Sequence, residues 1–469
     1  MQALWQKIMR ARLVAAICLL AAAPLAVAAP VLLVSVDGLK PEYVLEAGAR
    51  GLKIPYLRSL MEQGVYADGV VGVWPTVTYP SHTTLITGRA PADHGIVDNL
   101  EFDPYRRYAD AWYWYAAHIR VPTLWQAAHA AGLTTASVGW PVSVAAEGVD
   151  VLIPEYWRTG EPAADTDPSD RDLIAALSRP LGLLESMQAR VGPYMRGNDT
   201  SIDGDAVKTR YSLDILARRK PGFMTLHLSS LDAAEHAHGP FSAEANATLE
   251  AIDSMLAELS AAAQRNDARS IMVVVSDHGF MPLSHRVNLF VPFLQHGWIK
   301  TAPDPGTQTL TITDWQAEPW LAGGMVAIML SASAEPGLAG DVHSLLAGLA
   351  ADPKNGIAAV LDHDAILQRG GFPTATFLVV LSPGYYAGGA LTGPLVTDVA
   401  AAANGEMPGG HGFSPEDAAM RAAFFATGKG LAQHRDLGVI DMRQIAPSVA
   451  RLLGVALPGA TAAPLVLTR

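Results

Sequence analysis

Three short apolar runs, residues 31–36, 222–228 and 271–275, are hydrophobic at nearly every position and each stops abruptly at a polar turn. Strands that read this way are buried on both faces, as in parallel sheets, because an antiparallel strand with one wet face would alternate. Between them, residues 55–64, 121–132 and the Ala-rich 241–264 repeat their apolar positions at the helical period. Strand, helix and strand in alternation predict an α/β fold, a three-layer sandwich with a mostly parallel sheet and helices on both faces. Each run delivers an acidic residue just past its end: Asp37, Asp232 and Asp277. Ligands in open α/β sheets bind beyond the carboxyl ends of the strands, so these three carboxylates are expected to converge at one edge.

From about residue 291 to 405 the pattern changes. Short β-rich pieces (310–313, 325–330 and 375–381) surround a helical stretch near 342–349. This reads as an inserted α+β subdomain that divides the catalytic core into residues 30–290 and 406–469. There are no internal repeats and no long low-complexity linker.

Composition refines the picture at the N-terminus. Lys7, Arg10 and Arg12 precede an uncharged apolar stretch, residues 13–29, broken by Pro24 and closing on Ala26-Val27-Ala28. That order predicts a signal peptide over residues 1–29 and an exported chain, periplasmic or secreted; an uncleaved membrane anchor is the other reading of so long a run. Cys18 is the only cysteine. The mature chain would therefore use neither disulfides nor thiolate ligands, and any metal must be held by carboxylates and imidazoles. The formal net charge is -12, and no basic stripe is present. A long nucleic acid is excluded as a partner on that ground, whereas a small anionic substrate could have its charge offset by metal ions.

Six side chains have the chemistry for such ions. Asp37 sits in Val36-Asp37-Gly38, a strand-to-loop turn where Gly lets the backbone bend; alone, this is a common strand-end turn. Asp232 and His236 have the i,i+4 spacing that puts carboxylate and imidazole on one helix face. Ser276-Asp277-His278-Gly279 offers two adjacent ligands at a turn, and His411 lies in the Gly-rich loop Pro408-Gly-Gly-His-Gly412. Together they suffice for a two-cation phosphoryl-transfer site. His238 faces elsewhere and reads as a neighbour, while His118, His129 and His227 read as surface or packing residues. Thr78 lies between Pro75 and Pro80 with a helical pattern resuming at Ser81, near a helix N-terminus that favours phosphate. Alone it reads as a capping or turn residue; beside metal ions it becomes a nucleophile whose hydroxyl is activated by coordination.

In order along the chain run Val-Asp37-Gly, Pro-Thr-Val-Thr78-Tyr-Pro, Thr87-Gly88, His94-Gly-Ile-Val-Asp98-Asn99, Asp232-x3-His236-x2-Gly-Pro, Asp277-His278-Gly and Gly-His411-Gly. This set resembles the nucleotide pyrophosphatase/phosphodiesterase family of the alkaline phosphatase superfamily, over roughly residues 31–453 and most weakly in the insertion. The resemblance implies an alkaline-phosphatase-like fold and two Zn2+ per chain, one held by Asp232, His236 and His411, the other by Asp37, Asp277, His278 and the nucleophile Thr78. It implies a phospho-threonine intermediate, with the Asn99 amide on a non-bridging phosphate oxygen. It also implies nucleotide phosphodiester or phosphoanhydride substrates, with Tyr79 and Tyr156 sandwiching the base and Trp140 beside the base slot. Two departures stand out. Ser81 replaces the Asn of many members, a change that keeps a cap at the helix start, and residues 142–146 lack the acidic residue that follows Trp-Pro in some nucleotide-selective members. The shared metal site equally suits a phosphodiesterase of lipid headgroups, a phosphonate-ester hydrolase or a phosphomonoesterase, and a non-catalytic zinc-binding protein is the remaining class.

Overall fold

The computed structural model describes residues 29–108, 111–158, 168–195, 197–307, 309–399 and 407–468. The leader read from residues 1–29 lies outside the described residues except for Ala29. No helix among the described residues is long and apolar enough to cross a membrane.

The main sheet has eight strands: β1 (Val31–Val36), β2 (Val65–Tyr66), β3 (Thr135–Val138), β4 (Val151–Ile153), β5 (Phe223–Leu228), β6 (Ile271–Val275), β7 (Phe424–Thr427) and β8 (Arg435–Asp436). Their spatial order is β8-β2-β7-β6-β1-β5-β3-β4. β1 lies at the centre, parallel to β5 and β6, and only β7 runs antiparallel to its neighbours β6 and β2. The helices that cover the sheet are α1 (Pro55–Gln63), α2 (Thr78–Thr87), α3 (Leu124–Ala130), α4 (Ile202–Arg219), α5 (Ser230–His238), α6 (Ala243–Asn266) and α7 (Ile445–Leu452).

The alternation of β1 shows why two helical layers are needed. Leu32, Val34 and Val36 pack with Leu57 and Leu60 of α1, Tyr211 and Ile215 of α4, and Leu249, Ile252 and Leu256 of α6. Val31 and Leu33 join the opposite core with Leu85 and Ile86 of α2, Leu124 of α3, and Ile445 and Val449 of α7. Each such fully buried aliphatic side chain contributes roughly 1.5–3 kcal/mol, so a central strand apolar on both faces is strongly held.

Residues 290–398 build separate sheets. Ala317–Ala322, Met325–Leu330, Phe377–Leu381 and Ile357–Asp362 form an antiparallel sheet in that order, with Ile299–Pro303 and Leu310–Trp315 as a hairpin and Leu338–Ala350 as a helix. Val326, Ile328, Val342, Leu346 and Val379 form its core. Its base begins before residue 291, because His285–Val287 pairs with both Tyr385–Ala387 and Val396–Asp398. The chain then returns through Gly409–Gly410, which pairs with Met281–Pro282 and so carries His411 back beside the end of β6.

Candidate active site

The parallel register brings three strand ends level, with Val36 opposite Leu228 and Ser35 opposite Val275. Asp37 follows β1 directly. Gly38, at φ +72°, donates its N–H to Asp277 Oδ1 at 3.1 Å, and a Cβ there would stand 2.8 Å from Glu235 Oε2. Glycine is required at that turn by both the backbone angle and the space. After β5 the chain turns at once into α5, and the helical spacing sets His236 Nε2 3.5 Å from Asp232 Oδ1. His411 Nε2 reaches within 3.2 Å of His236 Nε2 and 3.6 Å of Asp232 Oδ1. His278 Nε2 lies 3.1 Å from Asp277 Oδ2, 3.4 Å from Asp37 Oδ1 and 3.5 Å from Thr78 Oγ1. All six carboxylates and imidazoles read from the sequence thus meet at one place, with Thr78 against them.

The histidines share one arrangement. Nδ1 of His236, His278 and His411 is engaged by the carbonyl oxygens of Gly409, Gly279 and Thr76. Each Nε2 is thereby left to face the cluster, the orientation a metal-ligating imidazole takes from its partners. Asp37 Oδ1, Asp232 Oδ1 and Asp277 Oδ2 are buried with no hydrogen-bond partner. Burial, and then the charge of Asp232, pushes the Asp37 carboxyl well above its ordinary value; burial, and then Asp37, does the same to Asp277. Burial first, and neighbouring imidazoles second, hold His278 well below its ordinary value, and burial brings His411 down to about 4. Unpartnered acidic oxygens and neutral imidazoles packed this closely are costly unless cations neutralise them, so the donor set fits metal ions. Two overlapping groups have ligand atoms within 4.8 Å of one another: Asp232, His236 and His411, and Asp37, Asp232 and His278.

Thr78 is the first residue of α2, preceded by the extended Val77. The turn is clamped to the His411 loop, since the Gly412 N–H donates to the Thr76 carbonyl at 2.9 Å and Thr76 Oγ1 to the Phe413 carbonyl at 2.7 Å. Thr76 is fully buried, which leaves Thr78 as the hydroxyl at the cluster. The Asn99 carbonyl oxygen accepts the Tyr79 N–H at 2.8 Å, leaving its NH2 as a free donor beside the helix start. Ser81 lies inside α2 with its hydroxyl unpartnered, so the helix begins three residues earlier than expected and Ser81 caps nothing.

The aromatic residues need correction. Trp140 has no exposed surface; its ring is packed edge-on against His82 and Trp125, and it cannot touch a substrate. Tyr79 is 1 % exposed, covered by Trp112 and Trp114. The partly exposed rings are Trp112, Tyr113, Tyr156 and Trp157, with Tyr156 packed on Trp114 and Trp157 on Trp112. These, rather than Tyr79 or Trp140, retain exposed surface.

His227, expected at the surface or in packing, is packed on β5 and also reaches the cluster, with Nε2 3.0 Å from Asp37 Oδ2 and Nδ1 2.9 Å from Glu155 Oε2. Glu155 was missed altogether, and its other oxygen accepts the Tyr79 hydroxyl at 2.7 Å. A carboxylate does therefore stand beyond Trp140-Pro141, later in the chain than residues 142–146. No local pattern marks either residue: His227 occupies the β5 position opposite Ser35, two residues before Asp37, and only that register places all three on one sheet face. His82 also belongs here, with Nδ1 2.8 Å from the Thr78 carbonyl oxygen and 3.6 Å from Asp277 Oδ2. His238 is exposed.

The family model for type I phosphodiesterase / nucleotide pyrophosphatase matches residues 31–388. Human ectonucleotide pyrophosphatase/phosphodiesterase family member 1 is 25% identical over 262 residues, which is 53% of this chain and 23% of that protein. Human family member 5 is 31% identical over 156 residues, 31% of this chain and 30% of that one. The chain thus spans under a third of the length of these curated relatives. Among solved structures, mouse ectonucleotide pyrophosphatase/phosphodiesterase 5, an inactive threonine-to-alanine variant in complex with AMP, superposes with a TM-score of 0.63 at 19% identity, covering 93% of this chain and 97% of that one. The same mouse protein without the substitution gives 0.62. At that identity the likeness shows the fold.

Proposed function

The chain belongs to the type I phosphodiesterase / nucleotide pyrophosphatase family, and on that premise we propose that it is an exported hydrolase that cleaves nucleotide phosphodiester or phosphoanhydride bonds, with Thr78 as nucleophile. The observation that carries this reading is the position of Thr78 Oγ1, 3.5 Å from His278 Nε2 at the rim of a cluster of unpartnered carboxylate oxygens.

Asp232, His236 and His411 would hold one divalent cation, and Asp37, Asp277, His278 and Thr78 a second. Oxygen and nitrogen donors without thiolate suit zinc. When bound, such ions supply the positive charge that lowers the pKa of a coordinated hydroxyl and offsets the charge of phosphate.

The chain's own residues then account for the steps. Thr78 Oγ forms a bond to phosphorus as the opposite P–O bond breaks; the hydroxyl proton is lost, and the leaving oxygen departs with a proton as an alcohol or a phosphate. The intermediate keeps the nucleoside as a second ester on the phosphorus bound to Thr78; water attacks that phosphorus, breaking the Thr78 Oγ–P bond, releasing a nucleoside monophosphate and restoring the Thr78 hydroxyl. Asn99, fixed through the Tyr79 N–H, directs its NH2 at a non-bridging oxygen throughout. A diester is favoured over a monoester because Arg89, the arginine near Thr78 in sequence, is engaged with Asp93 and the Gly459 carbonyl and so supplies no charge for an additional phosphate oxygen. The partly exposed rings of Trp112, Tyr156 and Trp157 support a flat base as the other half of the substrate. The AMP bound to the mouse relative is of that size. The apolar leader read in the sequence supports export.

A substrate panel on the purified protein tests this: a dinucleotide polyphosphate, a nucleoside triphosphate, bis-aryl and mono-aryl phosphates, and a choline phospholipid headgroup. Highest kcat/KM on the nucleotides is expected. A headgroup or monoester preferred by tenfold or more defeats the reading.

A further inference from the structure

Asp37 presents its two oxygens to different surroundings. Oδ2 is 3.0 Å from His227 Nε2, while Oδ1 has no hydrogen-bond partner and lies 3.4 Å from His278 Nε2. His227 is itself held on its far side, with Nδ1 2.9 Å from Glu155 Oε2 and 3.1 Å from the Gly139 carbonyl oxygen, and its ring packs against that of His82 with centroids 4.5 Å apart. Glu155 Oε1 in turn accepts the hydroxyl of Tyr79, the residue after Thr78. His227 is 2 % exposed and its β5 register partner Ser35 lies on the face that Asp37 continues, so the chain of contacts is built into the sheet.

We propose that His227, Glu155 and Tyr79 form a hydrogen-bonded strut that positions Asp37, engaging one carboxylate oxygen so that the other is aimed at the metal. The terminal torsion of an aspartate is broad and roughly two-fold, so without a partner for Oδ2 the carboxylate would swing between rotamers that a metal must then select. The strut also ties the turn that carries the nucleophile to the metal centre, because Tyr79, the residue after Thr78, is its outer end. All three are positioning residues and act through Asp37. The inference rests on the two-cation reading above.

The test measures zinc affinity by chelator competition on the full chain, alongside turnover of a bis-aryl phosphodiester, for wild type, His227→Phe, His227→Gln, Glu155→Gln and Tyr79→Phe. His227→Phe is expected to weaken one of the two zinc sites by about 10- to 100-fold while the other is unchanged, with activity recovered by excess zinc. His227→Gln, which keeps a donor amide, should restore part of the affinity; Glu155→Gln and Tyr79→Phe should give smaller losses in that order. Unchanged zinc binding in His227→Phe overturns the strut, and so does equal weakening of both sites or a His227→Gln variant no better than His227→Phe. Wild-type protein that binds zinc tightly but cleaves no phosphodiester would defeat the functional reading alone, because the zinc titration still reports on the strut. Wild type that binds no divalent cation overturns both.

Discussion

The imidazoles of His278 and His411 lie face to face, ring centroids 3.7 Å apart and 9° from parallel, although one follows β6 and the other arrives only after the separate sheets of residues 290–398. Two cationic rings could not stack so closely, and burial keeps both uncharged. The pair is therefore ready to bind metal without losing protons, while the neighbouring carboxylates are not.

That asymmetry sets the first prediction. Asp37 and Asp277 have carboxyls raised above the ordinary range by burial, so the metal-free folded chain holds their protons longer than the unfolded chain does. Their contribution to stability is present at low pH and is lost as pH rises through the raised values. The gain in melting temperature on adding zinc to chelated protein should widen as pH rises from 5 to 8, a difference from which buried histidines outside the cluster, such as His94, cancel. Calorimetry with and without chelator checks this; a zinc gain that shrinks with rising pH contradicts it. Elemental analysis should find about two ions per chain, and Asp232→Ala and Asp277→Ala should each lose activity.

Thr78→Ala should abolish turnover while zinc content and melting temperature stay near wild type, since one oxygen is removed from a turn clamped by Thr76 and Gly412. Thr78→Ser should retain part of the activity, because the hydroxyl remains but loses the β-branch that limits its rotamer. Full activity in Thr78→Ala would move the nucleophile elsewhere, and Thr76, fully buried and donating to Phe413, could not replace it.

Asn99→Ala should lower kcat on the order of 10²- to 10³-fold with a smaller change in KM, the cost of removing a preorganised donor to a charge that shifts as phosphorus is attacked. Steady-state kinetics on a small aryl phosphodiester decide it. A change confined to KM would make Asn99 a binding residue only.

What the sequence could reveal depended on whether one local pattern was enough. The ends of β1 and β6 were legible because runs of five or six residues, apolar at every position but Ser35, stop at an acidic turn, and Asp232 with His236 because helical spacing alone puts them on one face. β3 and β4 have only four and three residues, too short for a periodic signal, and went unread. The role of His227 depends on which sheet face it occupies, and therefore on its register with Ser35, which no local pattern reveals. Trp140 and Tyr79 failed for a related reason: an aromatic side chain beside a nucleophile packs a core as readily as it lines a pocket, and only the surrounding Trp112, Trp114 and Trp125 rings decide.

His94 gives a pH test independent of the metal cluster. Its Nδ1 accepts the Ile96 N–H at 3.2 Å, Nε2 lies 3.1 Å from Thr84 Oγ1, and burial brings the imidazole from 6.5 down to about 3. With the folded value depressed, the unfolded chain binds a proton that the folded chain refuses, so stability is full above about pH 6.5 and declines as pH falls toward 3. Urea unfolding across that interval should show a shallower decline for His94→Gln than for wild type, with other buried histidines such as His82 contributing the remaining slope. Identical slopes would show that His94 does not refuse the proton.

The last prediction concerns the base. With Tyr79 covered and its hydroxyl given to Glu155, a base has to stack on rings that still present a face, and Trp112 lies at the centre of that group, 5.1 Å from Tyr79, 5.7 Å from Trp114 and 5.0 Å from Trp157 between ring centroids. Stacking on a protein aromatic is worth about 1–3 kcal/mol per base, so Trp112→Ala should raise KM for a nucleotide substrate by roughly 5- to 150-fold. A small bis-aryl phosphodiester that does not reach Trp112 should be nearly unaffected. Tyr156→Ala should follow the same pattern more weakly, since Tyr156 touches Trp114 rather than Trp112. Equal losses on both substrates would mean that the aromatic group packs the wall and does not read the base, and the choline headgroup would become the substrate to examine first.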